Sequence, residues 1–268
     1  MGTNSAAINI GATSSNINNE IAEIDESTIT DHDDQLHPTV VIVGAGPSGL
    51  ATAACLTLKG ISHIILERED CIASLWRHKT YDRLHLHVPK SFCRLPGLNF
   101  PESCQMYPSR VEFMAYLEEY ARIFGLKPIF RSTVSRAEFS TARDAWVVTV
   151  NVTSPGSREV VQTLQYEARW LVVATGENAE PSMPKLEGRD EYGGAILHGS
   201  EYRSGKMYKN KSVLVVGCGN TGMDIALDLT TFGAKPTLVA RSPVCASYPT
   251  TLSLGVVRWL FDPPIHVH

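Results

Sequence analysis

The sequence predicts an α/β fold made of two strand–helix–strand units, the second of them incomplete. Three observations carry this. The stretch TVVIVGAGPSGLATAACLTL (39–58) passes from an apolar strand through a glycine turn into a helix. The stretch SVLVVGCGNTGMDIALDL (212–229) repeats that grammar. Between them, from 133 to 174, the pattern switches to short strands, an insertion of different character.

The elements follow in order. Residues 1–37 are rich in Ser, Asn and Thr and then in Asp and Glu. They lack the basic start and apolar core of a signal peptide, and read as a disordered tail. VVIV reads as a fully buried parallel strand, Pro47–Leu58 as the helix after it, Gly60 as its stop and SHIILE (62–67) as a second strand. Residues 38–58 contain no charged side chain, which is long enough to suggest a bilayer span. Gly44, Gly46, Pro47 and Gly49 fall in the middle, however, and a strand, a turn and a buried helix explain that interruption better.

Residues 71–108, rich in aromatics, His and Pro, read as a long functional loop region. Ser109–Phe124 is the clearest helix. Ser109 with Glu112 makes a capping box, Gly125 suits the C′ position, and Phe113, Leu117, Tyr120, Ala121 and Phe124 share one face. VSRAEF, AWVVTV, VVQTLQY and WLVVAT are strands, and LVVATG reads as a buried strand ending at a glycine turn. After a crossover marked by Pro181 and Pro184 come SVLVV (212–216), a helix over Thr221–Phe232 and the strand PTLVA (236–240).

A net charge of -4 over 268 residues argues against a nucleic-acid or anionic-membrane surface, although a few cations can serve a small anion. The six cysteines (Cys55, Cys71, Cys93, Cys104, Cys218, Cys245) show no CxxC pair and no zinc spacing. They imply a reducing compartment, three of them as small buried hydrophobes, and no metal site is expected.

Each glycine turn has the GxGxxG spacing, Gly44, Gly46 and Gly49 in the first and Gly217, Gly219 and Gly222 in the second. Each follows a strand and opens a helix, the context in which a dinucleotide pyrophosphate rests on a helix N-terminus. Ala45, Pro47 and Ser48 complete the first cradle, and Cys218, Asn220 and Thr221 the second. Glu67 ends the second strand of the first unit, where a carboxylate accepts from a ribose and repels a 2′-phosphate. Arg241 holds the corresponding place after the second strand of the second unit, where a guanidinium takes a 2′-phosphate. The first site is therefore expected to hold FAD or NAD and the second NADPH. A flavin in the first completes an electron path from nicotinamide to flavin.

YGGAILHGSEY (192–202) resembles the flavin-containing monooxygenase signature FxGxxxHxxxY/F, with Gly194, His198 and Tyr202 matching and Tyr192 replacing Phe. LEREDCIASLWRHKTYDRLHLHVPKSFCRLPG, YPSRVEFMAYLEEYA, VVATGENAEPSMPKLEG and VLVVGCGNTGMDIALDL resemble the plant YUCCA family of indole-3-pyruvate monooxygenases, from about Val40 to Arg241. The resemblance implies a flavin monooxygenase fold of two Rossmann-like units. Residues 38–180 would be an FAD-binding domain with a β insertion, and 181–268 a truncated NADPH-binding domain.

It also implies FAD, NADPH and dioxygen, with oxidative decarboxylation of a 2-oxo acid, indole-3-pyruvate, to the auxin indole-3-acetate through a flavin C4a-(hydro)peroxide. No catalytic side chain and no metal are required. Leu75 and Trp76 match the family's flavin-contacting LW, and Thr175 and Gly176 its ATG turn. His85, His87 and His198 have no evident acid/base partner nearby in sequence and read as structural or stacking groups.

Past Arg241 the chain reads SPVCASYPTTLSLGVVRWLFDPPIHVH, where the family continues with a second ATG-type turn and an acidic residue near the flavin's ribityl chain. The expectation is a truncated chain with weak flavin retention, an unpaired last strand and an uncovered apolar face on LGVVRWLF. Two alternatives stand beside the monooxygenase: a non-catalytic cofactor-binding fragment, and a flavoprotein NADPH reductase, a class that usually carries the redox cysteine pair missing here. With no targeting signal visible, the cytoplasm is the default location and the endoplasmic reticulum surface the alternative.

Overall fold

The computed structural model describes residues 37–240. The expected tail, Arg241, Cys245 and LGVVRWLF lie outside the described residues.

Strand β1 (Val40–Val43) sits at the centre of a parallel sheet ordered β2 (His63–Leu66), β1, β6 (Trp170–Val173). A run of β-branched residues suits that place, because a central parallel strand is covered on both faces. Val41 and Ile42 are fully buried. Helix α1 (Pro47–Leu58) buries Gly49, Leu50, Ala53 and Ala54, with Ala53 against Val40, Ile42 and Ile65 of the sheet and Leu50 and Ala54 turned to the aromatic cluster around Phe113. Proline at its first position costs no hydrogen bond there. Gly60 follows at φ +63° and reverses the chain into β2.

The 71–108 region contains two short helices, α2 (Ser74–His78) and α3 (Lys90–Cys93). It wraps around helix α4 (Arg110–Ile123), whose Phe113, Leu117, Tyr120 and Ala121 are buried as their spacing requires. Phe100 stacks on Tyr116 at 3.9 Å between ring centroids, and the Tyr116 and Tyr120 hydroxyls donate to the carbonyls of Leu98 and Pro96. Aromatic rings thus pin an otherwise irregular segment.

The capping box is formed. Ser109 Oγ accepts from the Glu112 N–H, and Glu112 Oε2 accepts from the Ser109 N–H at 2.8 Å. Partial burial pushes the Glu112 carboxyl up, but hydrogen bonds from Ser109 and Gln105 outweigh that and hold it below its ordinary value. This contribution is present above the unfolded carboxylate pKa and is lost as pH falls through the depressed folded value. Ser109→Ala is expected to cost about 1 kcal/mol at neutral pH. The difference in urea midpoint between wild type and variant should shrink below about pH 4.

Strands β3 (Ser132–Ser140), β4 (Ala145–Thr153) and β5 (Val160–Ala168) form an antiparallel meander inserted before β6. Val148, Val150, Tyr166 and Ala168 bury its inner face against Val41 and Leu66, so the insertion shares a core with the first sheet.

Two expectations are corrected. The strand in LVVATG is not buried: Val173 is 70% exposed and Trp170 58%, because among the described residues β6 stands at the edge of its sheet. The cysteines are not buried hydrophobes either. Cys55 is exposed, since α1 turns its glycine and alanine face to the sheet, and Cys71, Cys93, Cys104 and Cys218 are half-buried.

The second unit consists of β7 (Ser212–Val216), α5 (Asn220–Thr231) and β8 (Lys235–Val239), with β7 and β8 paired in parallel. α5 covers one face of this pair, while Leu214, Val216 and Val239 stand exposed on the other. Among the described residues no helix is long and apolar enough to cross a membrane.

Candidate functional site

The two glycine turns are built alike. Gly44 and Gly217 have φ of +108° and +109°, a region L side chains rarely adopt. Gly46 and Gly219 cap α1 and α5 in extended conformation, at ψ -177° and 178°. A Cβ on Gly49 would stand 1.9 Å from the Gly44 carbonyl oxygen, and one on Gly222 2.2 Å from that of Gly217. The third glycine of each motif therefore lets the helix cross its own turn.

The middle glycines differ in kind. A Cβ on Gly46 or Gly219 would meet nothing within 4 Å among the described residues, so none of them requires glycine there. Open space over the amide end of a long helix is what a pyrophosphate backed by the helix dipole needs, and the residues present fit such a group.

The first site gathers three strand ends. Gly44 at the end of β1 lies so close to β6 that a Cβ would stand 2.5 Å from the Ala174 carbonyl oxygen, which sets Thr175 and Gly176 beside the turn. Both are exposed, and Gly176 turns at φ +77°. Glu67 at the end of β2 is buried. Its Oε2 accepts from the Ala45 N–H at 2.8 Å, and its Oε1 from the Glu69 N–H at 3.0 Å and the Ser74 hydroxyl at 3.4 Å.

An acceptor-only group is required here, because two backbone donors meet two different oxygens. Glu67→Gln must turn an NH₂ against one of them. It is expected to lower stability by about 1–2 kcal/mol and flavin affinity about tenfold or more. Thermal melting and flavin titration read the two effects separately.

Leu75 and Trp76 lie half-buried on α2. Ala73 N–H donates to the Ala45 carbonyl at 2.9 Å and ties this helix to the first turn. Trp76 packs edge-on against Phe113, with centroids 4.6 Å apart. Ser74, on the same short helix, is a site residue that sequence reading missed.

In the second site Cys218 is half-buried, and Asn220 and Thr221 are exposed at the α5 N-terminus. Arg241 falls just past the described chain.

Two of the three histidines make short-range contacts along the chain. His85 Nδ1 contacts the Arg83 carbonyl at 2.6 Å, and His198 Nδ1 contacts the Ser200 hydroxyl at 2.9 Å. His87 is exposed. The end of segment 192–202 lies against α5, where a Cβ on Gly199 would touch Thr221 and Ile225 at 3.6 and 3.8 Å.

Tyr202 is buried, and its hydroxyl donates to Asp228 Oδ2 at 2.6 Å. The Gly205 N–H donates to the same oxygen at 2.7 Å. Burial first, and then Asp228, push the Tyr202 hydroxyl far above its ordinary value, so it remains a donor. Asp228 is a second residue sequence reading missed. Its signal was an acid on the buried face that carries Ile225 and Leu229.

The two units meet around these groups. Arg83 Nε lies 3.3 Å from Asp224 Oδ1, the Asp82 N–H donates to the Arg203 carbonyl, and Tyr81, Tyr202, Ile225 and Leu229 share a core. A groove of about 660 Å³ lies elsewhere, between α1 and the N-terminal ends of β1 and β6, lined by Thr39, Leu56, Ile61 and Trp170. It holds none of the glycine-turn residues. Parallel strands present ligands at their C-terminal ends, so this groove is not the dinucleotide site.

A sequence profile described as pyridine nucleotide-disulphide oxidoreductase matches residues 41–260. The chain is 50% identical over 229 residues to indole-3-pyruvate monooxygenase YUCCA6 of Arabidopsis thaliana, a match covering 82% of this chain and 53% of that protein. A solved flavin monooxygenase of Stenotrophomonas maltophilia superimposes with a TM-score of 0.68 at 28% identity, covering 78% of this chain and 59% of its own. The OTEMO structure, a complex with FAD and NADP, shares the fold at TM-score 0.62 and 22% identity, over 77% of this chain and 39% of its own. The chain spans about half the length of the curated relatives it matches.

Proposed function

The chain belongs to the pyridine nucleotide-disulphide oxidoreductase family, and from that premise we propose that it is an FAD- and NADPH-dependent monooxygenase of auxin biosynthesis acting on indole-3-pyruvate. The doubled glycine turn carries the reading, because one chain with two equivalent cradles takes two dinucleotides. The identity of about one half to a YUCCA protein supports the substrate.

In this reading the first unit (38–180) is the flavin domain and the second (181–268) the nicotinamide domain. The Gly46, Ser48 and Gly49 amides face the flavin pyrophosphate at the α1 N-terminus, with Ala45 and Pro47 shaping the turn between them. Glu67 accepts from the adenosine ribose while its backbone contacts keep the turn closed, and Leu75, Trp76, Thr175 and Gly176 line the flavin. Gly217, Cys218, Gly219, Asn220, Thr221 and Gly222 do for NADPH what the first turn does for FAD, and Arg241 takes the 2′-phosphate. The cofactors supply the reducing equivalents and the oxygen activation. The protein's own part is to bind, orient and exclude water, and no side chain is assigned a proton-transfer step.

A disulphide-exchange reading has less support. The sequence has no CxxC pair, and the described cysteines are all free. The same proposal places the protein in the cytosol or at the endoplasmic reticulum surface.

Adding FAD to the purified chain, and then NADPH without oxygen, tests the proposal. A bound-flavin spectrum that bleaches, followed by indole-3-acetate formation from indole-3-pyruvate in air, is the expected result. NADPH oxidation with no indole product would overturn the monooxygenase reading in favour of a reductase. Failure to bind flavin would leave a non-catalytic fragment.

A further inference from the structure

Beside the first glycine turn, the strap between β2 and α2 and the end of α2 itself gather three donors of different chemistry that the flavin reading does not use. Asp70, Cys71 and His78 each offer one ligand atom, and these atoms all lie within 4.8 Å of one another. Cys71 Sγ is 3.3 Å from His78 Nε2, which is 3.9 Å from Asp70 Oδ1. We propose that Asp70, Cys71 and His78 form a binding site for a zinc-class divalent transition-metal ion, with solvent in the fourth position.

The spacing suits that ion. Tetrahedral zinc–sulfur and zinc–nitrogen bonds put sulfur and nitrogen about 3.6 Å apart, and nitrogen and oxygen about 3.3 Å. Small side-chain rotations bring the observed distances to those values. Thiolate, imidazole and carboxylate together select a borderline metal over calcium or magnesium, which prefer all-oxygen sites.

The backbone under the donors is held in place. The Ala73 N–H is bound to the Ala45 carbonyl, the Arg131 N–H to the Glu69 carbonyl at 2.9 Å, and Arg203 Nη2 to the His78 carbonyl at 2.5 Å. Asp70 and His78 are more than half exposed, so an ion has a path in. Arg77, the cation that acts on the sulfur, is paired with Glu118.

Burial pushes the Cys71 thiol up to about 11, with Asp70 adding to the rise and Arg77 opposing it. A cysteine thiol without a metal ion carries its proton at neutral pH. The ion must displace that proton to solvent as the metal–sulfur bond forms, with no change of oxidation state. An ion so held would tie the start of the strap to the last residue of α2, the helix that carries Leu75 and Trp76.

Titrating the reduced full chain with cobalt(II), and competing it off with zinc, tests the site. A near-ultraviolet sulfur-to-cobalt band reaching one ion per chain is expected, with about one proton released per ion. The band should vanish in Cys71→Ser. Affinity should fall about tenfold or more in His78→Gln and in Asp70→Asn. A band that survives Cys71→Ser, or an unchanged affinity in His78→Gln, overturns the proposal, the former by placing the ion on other cysteines. Circular dichroism checks each fold. If Cys71→Ser does not fold, His78→Gln decides alone, because its side chain is exposed.

Discussion

Gly46→Ala is expected to fold as well as the wild type and to lose about 10- to 100-fold in flavin affinity, the effect of one misplaced methyl in a close-packed contact. The added Cβ meets nothing within 4 Å among the described residues, and the extended backbone at this position accepts any residue. Only a ligand that approaches the helix N-terminus would feel it. Gly49→Ala should behave differently, because its methyl would stand 1.9 Å from the Gly44 carbonyl oxygen, a backbone atom. More than about 3 kcal/mol of stability should go with the flavin there. Flavin titration and thermal melting of the two variants separate a lost ligand from a lost fold. Unchanged flavin affinity in Gly46→Ala would place the pyrophosphate somewhere else.

Asp228→Ala should lower stability by about 3 kcal/mol, because it strands two donors, the Tyr202 hydroxyl and the Gly205 N–H, that share one carboxylate oxygen. Tyr202→Phe removes only one of those bonds and should cost about 1–2 kcal/mol. The double variant should then cost less than the sum, since one bond is counted in both single changes. Urea unfolding of the four proteins measures this. Strict additivity would mean that the hydroxyl and the carboxylate are not coupled. NADPH binding should weaken in step, because α5 carries Asp228 and opens with the second glycine turn.

What was legible in the sequence is what local chemistry decides. Gly44 and Gly217 must adopt positive φ, Ser109 and Glu112 cap each other, and the aromatics of α4 share one face at helical spacing. These features need only neighbours along the chain. The exposure of β6 was not legible, because it depends on strand order, and a run of valines reads the same at a sheet's edge as at its centre. Asp228 was half legible: an acid on an apolar helical face asks for a partner, but nothing local names Tyr202, which lies before the strand and turn that lead into α5. Cysteine spacing found no metal motif, since the strap and not the spacing brings Asp70 and Cys71 to His78.

The position of β6 carries a consequence for how the molecule is made. Val40 pairs on one side with His63, reached after a single helix, and on the other with Trp170, reached only after α4 and the whole meander. In the second unit Ser212 pairs with Lys235, again across a single helix. Closing the longer loop costs about 1.5 kcal/mol more chain entropy than closing either short one. During synthesis the first glycine turn leaves the ribosome early, yet Ala174 and Thr175 reach it only after the three antiparallel strands have been made. The cradle nearest the start of the chain is thus completed late, by residues that follow a strand translated well after its own helix.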